Sequence, residues 1–581
     1  MVVADLFGAD GGGWREMKGF VLTVLVGRWF MVFSSLLIMA MAGTGYMFGM
    51  YSNDIKTSLG YDQTTLNLLS FFKDVGGNVG ILSGLINEVS PPWVVLSIGA
   101  IMNFLGYFMI WISVTGRITK PKVWQMCLYM YLSTNAQAFS NTGALVTCVK
   151  NFPESRGGVI GLLKSFVGLS GAIMTQFYHA FYGDNSKALI LLLAWFPACV
   201  SFVFLRVVRI MKIVRQANEN KIFHKFFYIS LGLASVLMVL IIIQKKFSFT
   251  RIEYVGSASV VVVLLLLPIA IVVKEEHDLR KSKKVALNGP SPLDVVTENL
   301  PPVELTKLSL EQSTPPARAP TAAEKQVSCV TSIFNPPARG EDYGILQALF
   351  SVDMLVLFVA TACGIGGTLT AIDNLGQIGQ SLGYPARSTA TFVSLVSIWN
   401  YLGRAVAGFA SEILLTKYKI PRPLLFTIVL LFSCFGHLLI AFGVPNSLYF
   451  ASVIIGFCFG AQLPLMFAII SELFGLKYYS TLYNFGAVAS PVGSYVLNVI
   501  VAGHLYDKEA LKQLKAKGLR MEAGQDLICY GVQCYKLSFL IITAVTISGC
   551  LISLVLVLRT RKFYKGDIYR KFREEGVAAE K

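Results

Sequence analysis

The sequence predicts an all-α polytopic membrane protein: two six-helix bundles with two additional central helices, about 14 transmembrane helices in all. Three observations point there. The 581 residues are 54% hydrophobic and 14% charged, with a mean hydropathy of +0.62, whereas a soluble domain carries about 25% charged residues. Apolar runs near the roughly 20 residues needed to cross a bilayer recur as six, two and six. One stretch also occurs twice. Asn400-Tyr-Leu-Gly-Arg404-Ala-Val-Ala-Gly408-Phe-Ala-Ser-Glu412 echoes Lys73-Asp-Val-Gly-Gly77-Asn-Val-Gly80-Ile-Leu-Ser-Gly84-Leu-Ile-Asn-Glu88, with both Gly84/Gly408 and Glu88/Glu412 spaced by 324 residues. Ser58-Leu-Gly-Tyr61 returns as Ser381-Leu-Gly-Tyr384 at nearly the same spacing. The chain reads as one half used twice.

Taken in order, residues 1–27 form a cytoplasmic N-terminus whose acids Asp5 and Asp10, with no cleavage-site pattern, do not suit a cleaved signal peptide. The first bundle occupies 28–210, with spans near 29–51, 64–87, 93–113, 123–149, 157–182 and 188–210. A connector, 211–273, holds two further spans near 226–243 and 255–273. Residues 274–343 form a cytoplasmic loop, read as disordered because prolines recur with little apolar periodicity. The second bundle, 344–558, has spans near 347–372, 389–411, 424–442, 448–470, 481–502 and 537–558. A cytoplasmic tail, 559–581, ends the chain.

The net charge of +17 could suggest nucleic acid, but the basic residues flank apolar spans, as the positive-inside rule requires. One side collects 206–225, 274–339, 417–422 and 559–581, so both termini are expected in the cytoplasm. The plasma membrane is the default location, with vacuolar or other endomembranes as alternatives. Cys529 and Cys534 share a non-cytoplasmic loop, where a local disulfide and a free pair are equally open. No phosphate loop, metal-ligand cluster or enzyme constellation stands out, so no cofactor and no metal are expected.

The loop after the second span of each half carries a glycine, then an acid four residues later. In the second half basic residues follow: Gly408, Glu412, Lys417, Lys419 and Arg422. The first half keeps Gly84 and Glu88 but continues Val89-Ser-Pro-Pro92. With the Asn151-Phe-Pro-Glu-Ser-Arg156-Gly loop, this resembles the major facilitator superfamily of secondary transporters. Gly27-Arg-Trp-Phe30, Asn87-Glu-Val-Ser-Pro-Pro-Trp93 and Gly366-Gly-Thr-Leu-Thr-Ala-Ile-Asp-Asn-Leu375 look like the plant nodulin-like membrane proteins within it. The resemblance implies two bundles rocking about a central site. The missing basic turn of the first half and the additional middle pair depart from the twelve-helix plan.

Charge inside hydrocarbon costs on the order of 2.5–3.5 kcal/mol, so ionised groups at membrane depth should face protein or water. Lys73, Asp74 and Asn78 on the second span are candidates for binding or coupling; adjacent residues point about 100° apart, which argues against full mutual neutralisation of Lys73 and Asp74. Asp74 has a competing role as a structural counter-ion. Asn135 and Asn141 on the fourth span equally suit helix–helix bonding, and Lys164 on the fifth equally suits snorkelling. In the second half the candidates are Asp353, Asp373, Asn374 and Asn400. Glycines at 43, 45 and 49, and at 364, 366 and 367, predict broken helices at matching positions, where freed backbone groups can bind a substrate. Gly84, Glu88, Arg156, Arg404, Gly408, Glu412 and Lys417 are gating candidates, with a fixed topological anchor as the plainer role.

The resemblance implies secondary active transport across the lipid bilayer by alternating access, and these residues point to a small anionic or zwitterionic organic solute, with proton coupling through Asp74 or Asp353 as an option. The alternative is a non-transporting receptor or scaffold acting through the central loop. A cavity between the bundles would favour transport.

Overall fold

The structure, a computed structural model, describes residues 13–61, 63–183, 185–211, 218–247, 249–288, 336–516 and 528–570. It is 85% helix and has no strand among the described residues. A short helix α1 (Gly13–Val26) leads in. The first bundle has six columns. The first is α2 (Arg28–Ala42) and α3 (Phe48–Leu59), joined by a 3₁₀ turn at Thr44–Met47. The second is α4 (Gln63–Asn78) and α5 (Ile81–Val89), and the third is α6 (Pro92–Val114). The fourth is α7 (Val123–Ser140) and α8 (Thr147–Asn151), joined by a π-helical stretch at Asn141–Val146. α9 (Arg156–Tyr182) and α10 (Ser186–Phe204) complete the bundle.

Next come α11 (Glu219–Lys246), then α12 (Arg251–Leu266) continued by α13 (Pro268–Asn288). The second bundle opens with the short α14 (Ile345–Leu349). Its columns are α15 (Val352–Asp373) with α16 (Leu375–Ser381), α17 (Ala386–Tyr418), α18 (Arg422–Phe442) and α19 (Ser447–Leu473). The fifth is α20 (Tyr479–Ala487) and α21 (Ala489–Ser494), extended through a π-helical stretch into α22 (His504–Ala516); the last is α23 (Gln533–Lys565).

Eleven of these fourteen columns are helices long and apolar enough to cross a membrane. The other three are α4–α5, α7–α8 and α17. They carry Lys73, Asp74, Gln137, Asn141, Asn400 and Arg404, all on the wall of one central cavity. The low hydropathy of these columns is thus part of the site.

Helix ends follow local chemistry. Asn185 accepts from Ala188 N at 3.2 Å to start α10, and the Ser351 hydroxyl accepts from Met354 N at 3.2 Å to start α15. Thr250 and Glu253 form a capping box on α12. Gly443 closes α18 at φ 54°, a left-handed conformation that costs glycine nothing.

The middle pair packs on α9 at the seam between the bundles. Gln176 of α9 exchanges amide bonds with Gln244 of α11 (3.1 and 2.8 Å) and accepts from Ser257 of α12 (2.9 Å). Ser230 of α11 pairs with the Tyr401 hydroxyl of α17 at 2.9 Å, and Phe227 packs on Phe409.

Two expectations change here, and one open alternative is closed. Residues 274–288, expected to be disordered, are helical in α13: Glu275 accepts from Lys225 at 2.5 Å, and His277 meets Phe20 of α1 edge-on. The far end of the same loop is also fixed, since Gly340 N donates to Leu473 O (3.0 Å) and Tyr343 N to Phe474 O (3.1 Å). Residues 289–335 lie outside the described residues.

The second change concerns broken helices. The first column breaks at its glycines as expected, but α15 runs unbroken through Gly364, Gly366 and Gly367. Those glycines admit neighbours instead: a Cβ on Gly366 would come within 2.6 Å of the Gly493 backbone. A second break beside the cavity, besides the one at Thr44–Met47, falls in the second column, between α4 and α5. There Asn135 donates to Gly76 O and Val79 O, both at 2.8 Å, supplying partners for carbonyls that the interruption frees. Last, the Cys529–Cys534 pair is joined as a disulfide.

Candidate functional site

A cavity of about 290 Å³ lies between the two halves. Of the candidates it brings together Lys73, Asp74, Asn78, Asn141 and Lys164 from the first half with Asp373, Asn400 and Arg404 from the second. Lys73 and Asp74 form an ion pair at 3.0 Å, contrary to the angular argument from sequence: the flexible lysine stem spans the difference in direction. Asp74 remains 46% exposed. Asp373, at the end of α15, accepts from Asn498 Nδ2 at 3.1 Å.

Deeper in the cavity wall, Arg404 is 1% exposed. It donates from Nε to Asn400 Oδ1 (2.9 Å), from Nη1 to Lys164 O (2.9 Å) and from Nη2 to the Tyr46 hydroxyl (3.1 Å). None of these acceptors is a carboxylate. Lys164 is buried, so it does not snorkel; its Nζ lies 5.0 Å from the Phe467 ring and 5.3 Å from the Tyr483 ring, faces on which an ammonium can rest. Arg404, expected at a cytoplasmic gate, is therefore a cavity residue.

Two binding candidates serve structure. Asn135 holds the α4–α5 break, and Asn374 donates to Asn498 Oδ1 at 2.7 Å behind Asp373. Asp353 is a correction: it takes Arg339 Nε at 2.7 Å and Arg559 Nε at 2.6 Å at the end of α15 opposite Asp373. A carboxylate in an apolar window reads alike whether it faces a cavity or ties down a helix end.

The gating candidates gather where the halves meet, on the face where the chain enters α2 and leaves α23. Gly408 sits against Gly157 and Gly161 of α9; Gly84 sits against Ser480 and Thr481. Glu412 accepts from Gly157 N across the seam at 2.9 Å and from Arg422 Nη2 at 2.6 Å. Arg422 also reaches Glu472 at 2.6 Å and bonds Ser411. Arg156 donates to Ser471 O at 2.5 Å. Glu88 takes Lys150 at 3.4 Å and Thr481 N at 3.3 Å. Lys417 is exposed on the same face. Between gate and cavity, Asn484 of the second half donates to Thr142 of the first at 2.7 Å.

Several functional residues escaped sequence reasoning. Glu472, Tyr569, Tyr46 and Tyr483 stand in runs without a motif, and only the fold gives them partners. Tyr569, past the last span, places its hydroxyl 3.0 Å from Glu412 and 3.2 Å from Glu472. Burial, reinforced by both carboxylates, raises its pKa, so the hydroxyl stays protonated and donates.

Two helical halves around a shared polar cavity define a multi-pass membrane protein of the major facilitator fold. The structure matches the XylE proton:xylose symporter bound to 6-bromo-6-deoxy-D-glucose over 90% of this chain and 95% of that one, with a TM-score of 0.51 at 12% identity. A family model described as Nodulin-like matches residues 28–273, and one described as NFD4, C-terminal domain matches 340–566. Together these matches support a nodulin-like membrane protein. The chain is 26% identical to Protein NUCLEAR FUSION DEFECTIVE 4 of Arabidopsis thaliana over 92% of this chain and 89% of that protein. It is also 25% identical to an uncharacterised membrane protein of Saccharomyces cerevisiae over 28% of this chain and 29% of that protein.

Proposed function

We propose that the protein is a secondary active transporter of a small organic solute bearing an anionic group, working by alternating access. One observation carries the reading. Lys164 and Arg404 come from opposite halves to one cavity wall, and neither has a carboxylate partner among the described residues. Burying two basic groups without an acid disfavours their charged forms, and an anion arriving between them offsets that cost. A solute bound there touches both halves, so its binding energy can bias their rocking. The closed face is cytoplasmic by the positive-inside rule. A scaffold acting through the central loop would need neither the cavity nor the charges.

Of the acids considered for coupling, Asp74 and Asp373 meet the cavity, whereas Asp353 is held between two arginines. Proton coupling would fall to the first two, and uptake indifferent to an imposed pH gradient would remove it. The main test is uptake of organic anions and zwitterions into proteoliposomes. Lys164→Ala and Arg404→Ala should each lower uptake by roughly tenfold or more, the loss of about 1.4 kcal/mol or more of binding. Wild-type uptake by both variants would overturn the assignment.

A further inference from the structure

We infer that the cavity is built for a zwitterion, a solute joining a carboxylate to an ammonium group, of amino-acid size. This deepens the transport reading and rests on it. The ionised side chains fall into two separate groups. Arg404 donates to the Lys164 carbonyl at 2.9 Å, whereas Lys73 pairs with Asp74 at 3.0 Å and lies in the field of Asp373. The first pole holds two basic side chains and, among the described residues, no acid paired with either. The second has two carboxylates to one ammonium, with Lys73 turned to Asp74 at 3.0 Å and Asp373 supported by the neutral Asn498 amide.

The donor count fits a carboxylate at the first pole. A guanidinium has five N–H groups. Arg404 uses one on each of its three nitrogens, which leaves one on each terminal nitrogen, the paired fork that a carboxylate accepts. At the second pole Asp373 has an amide donor but no cation at ion-pair distance among the described residues, so an ammonium would complete it. A plain anion would satisfy the first pole and leave the second negative.

Two buried polar atoms on the cavity lining add an independent sign of a ligand. Asn141 Oδ1 and the Tyr483 hydroxyl have no hydrogen-bond partner among the described residues, although both side chains are more than nine-tenths buried and belong to residues on the wall. Unsatisfied polar groups of this kind are uncommon in folded proteins and call for a partner. The cavity's 290 Å³ equals about ten water molecules at roughly 30 Å³ each, which suits one small solute.

The test uses the purified full-length protein and three pools at equal concentration: the twenty common L-amino acids, the corresponding deaminated carboxylic acids, and the decarboxylated amines. Thermal stabilisation is read for each, followed by proteoliposome uptake. The amino-acid pool should stabilise the protein, with each of the other pools about tenfold weaker or more, each lacking one charged contact. In Asp373→Asn the preference for amino acids over deaminated acids should fall by about the same factor. That ratio is internal to one preparation, so it separates lost recognition from lost folding. Should D373N not fold, Asp74→Asn tests the same pole. Equal or tighter binding of the deaminated acids would overturn the zwitterion while leaving anion transport standing. No binding by any pool overturns it as well, and the uptake of the Lys164 and Arg404 variants then decides separately whether transport survives.

Discussion

Gly84 and Gly408 occupy the same place in the two repeats, and each presses against the opposite half. A Cβ on Gly84 would lie 2.7 Å from Thr481 Cα, and one on Gly408 would lie 2.6 Å from Gly161 Cα. Four residues on, the symmetry fails. Glu412 sits in a buried set with Arg422, Glu472 and Tyr569, while Glu88 has a longer contact to Lys150 near the surface and a backbone amide. Beside Glu88 the first half relies on neutral contacts, such as Asn87 to the Ser480 hydroxyl at 2.8 Å. The duplication therefore keeps the steric seal on both sides of the seam and places the fully buried ionic cluster on only one. Close backbone approach needs glycine in both places, whereas charge at one end is enough to hold the face shut.

The largest expected effect tests the shared part. Gly84→Leu and Gly408→Leu should each nearly abolish uptake, because the new side chain meets backbone that cannot yield. Spin labels across the basic face should report increased separation in both variants. Normal transport by either one would show that the two seals are not equivalent. The unshared part comes next. Arg422→Ala leaves two buried carboxylates uncompensated and should cost about 3–5 kcal/mol in unfolding free energy, whereas Glu88→Ala, at a partly exposed pair, should cost about 1 kcal/mol or less. Equal losses in denaturant titrations would erase the asymmetry. The smallest effect sharpens it. Tyr569→Phe removes one hydroxyl from the ionic side and should cost about 1 kcal/mol, and a variant indistinguishable from wild type in the same titration would place the tail outside the network.

The sequence already exposed the duplication, because glycine and acid recur at one spacing, and it exposed Lys73, Asp74, Lys164 and Arg404, because charge in an apolar run is conspicuous. What it left hidden depends on which side chains meet. Arg404 lies inside a long helix, and only the tilt of α17 against α9 decides between gate and cavity. The glycines of α15 read like a break, but they face packed neighbours; the break beside Asn78 has no more glycine than the run it interrupts and is held by Asn135 from another helix. Glu472 and Tyr569 join Arg422 from distant positions, with no local pattern to announce it.

The two additional helices have a consequence for access. They are fastened to α9 by three side-chain bonds at Gln176 and to α17 by one, between Ser230 and Tyr401. When the halves move, the pair should travel with the first and slip along the second. On the transport reading, the pair would screen the seam between α9 and α17 from the surrounding lipid, so cargo is expected to come and go through the cavity's own mouth rather than sideways out of the membrane.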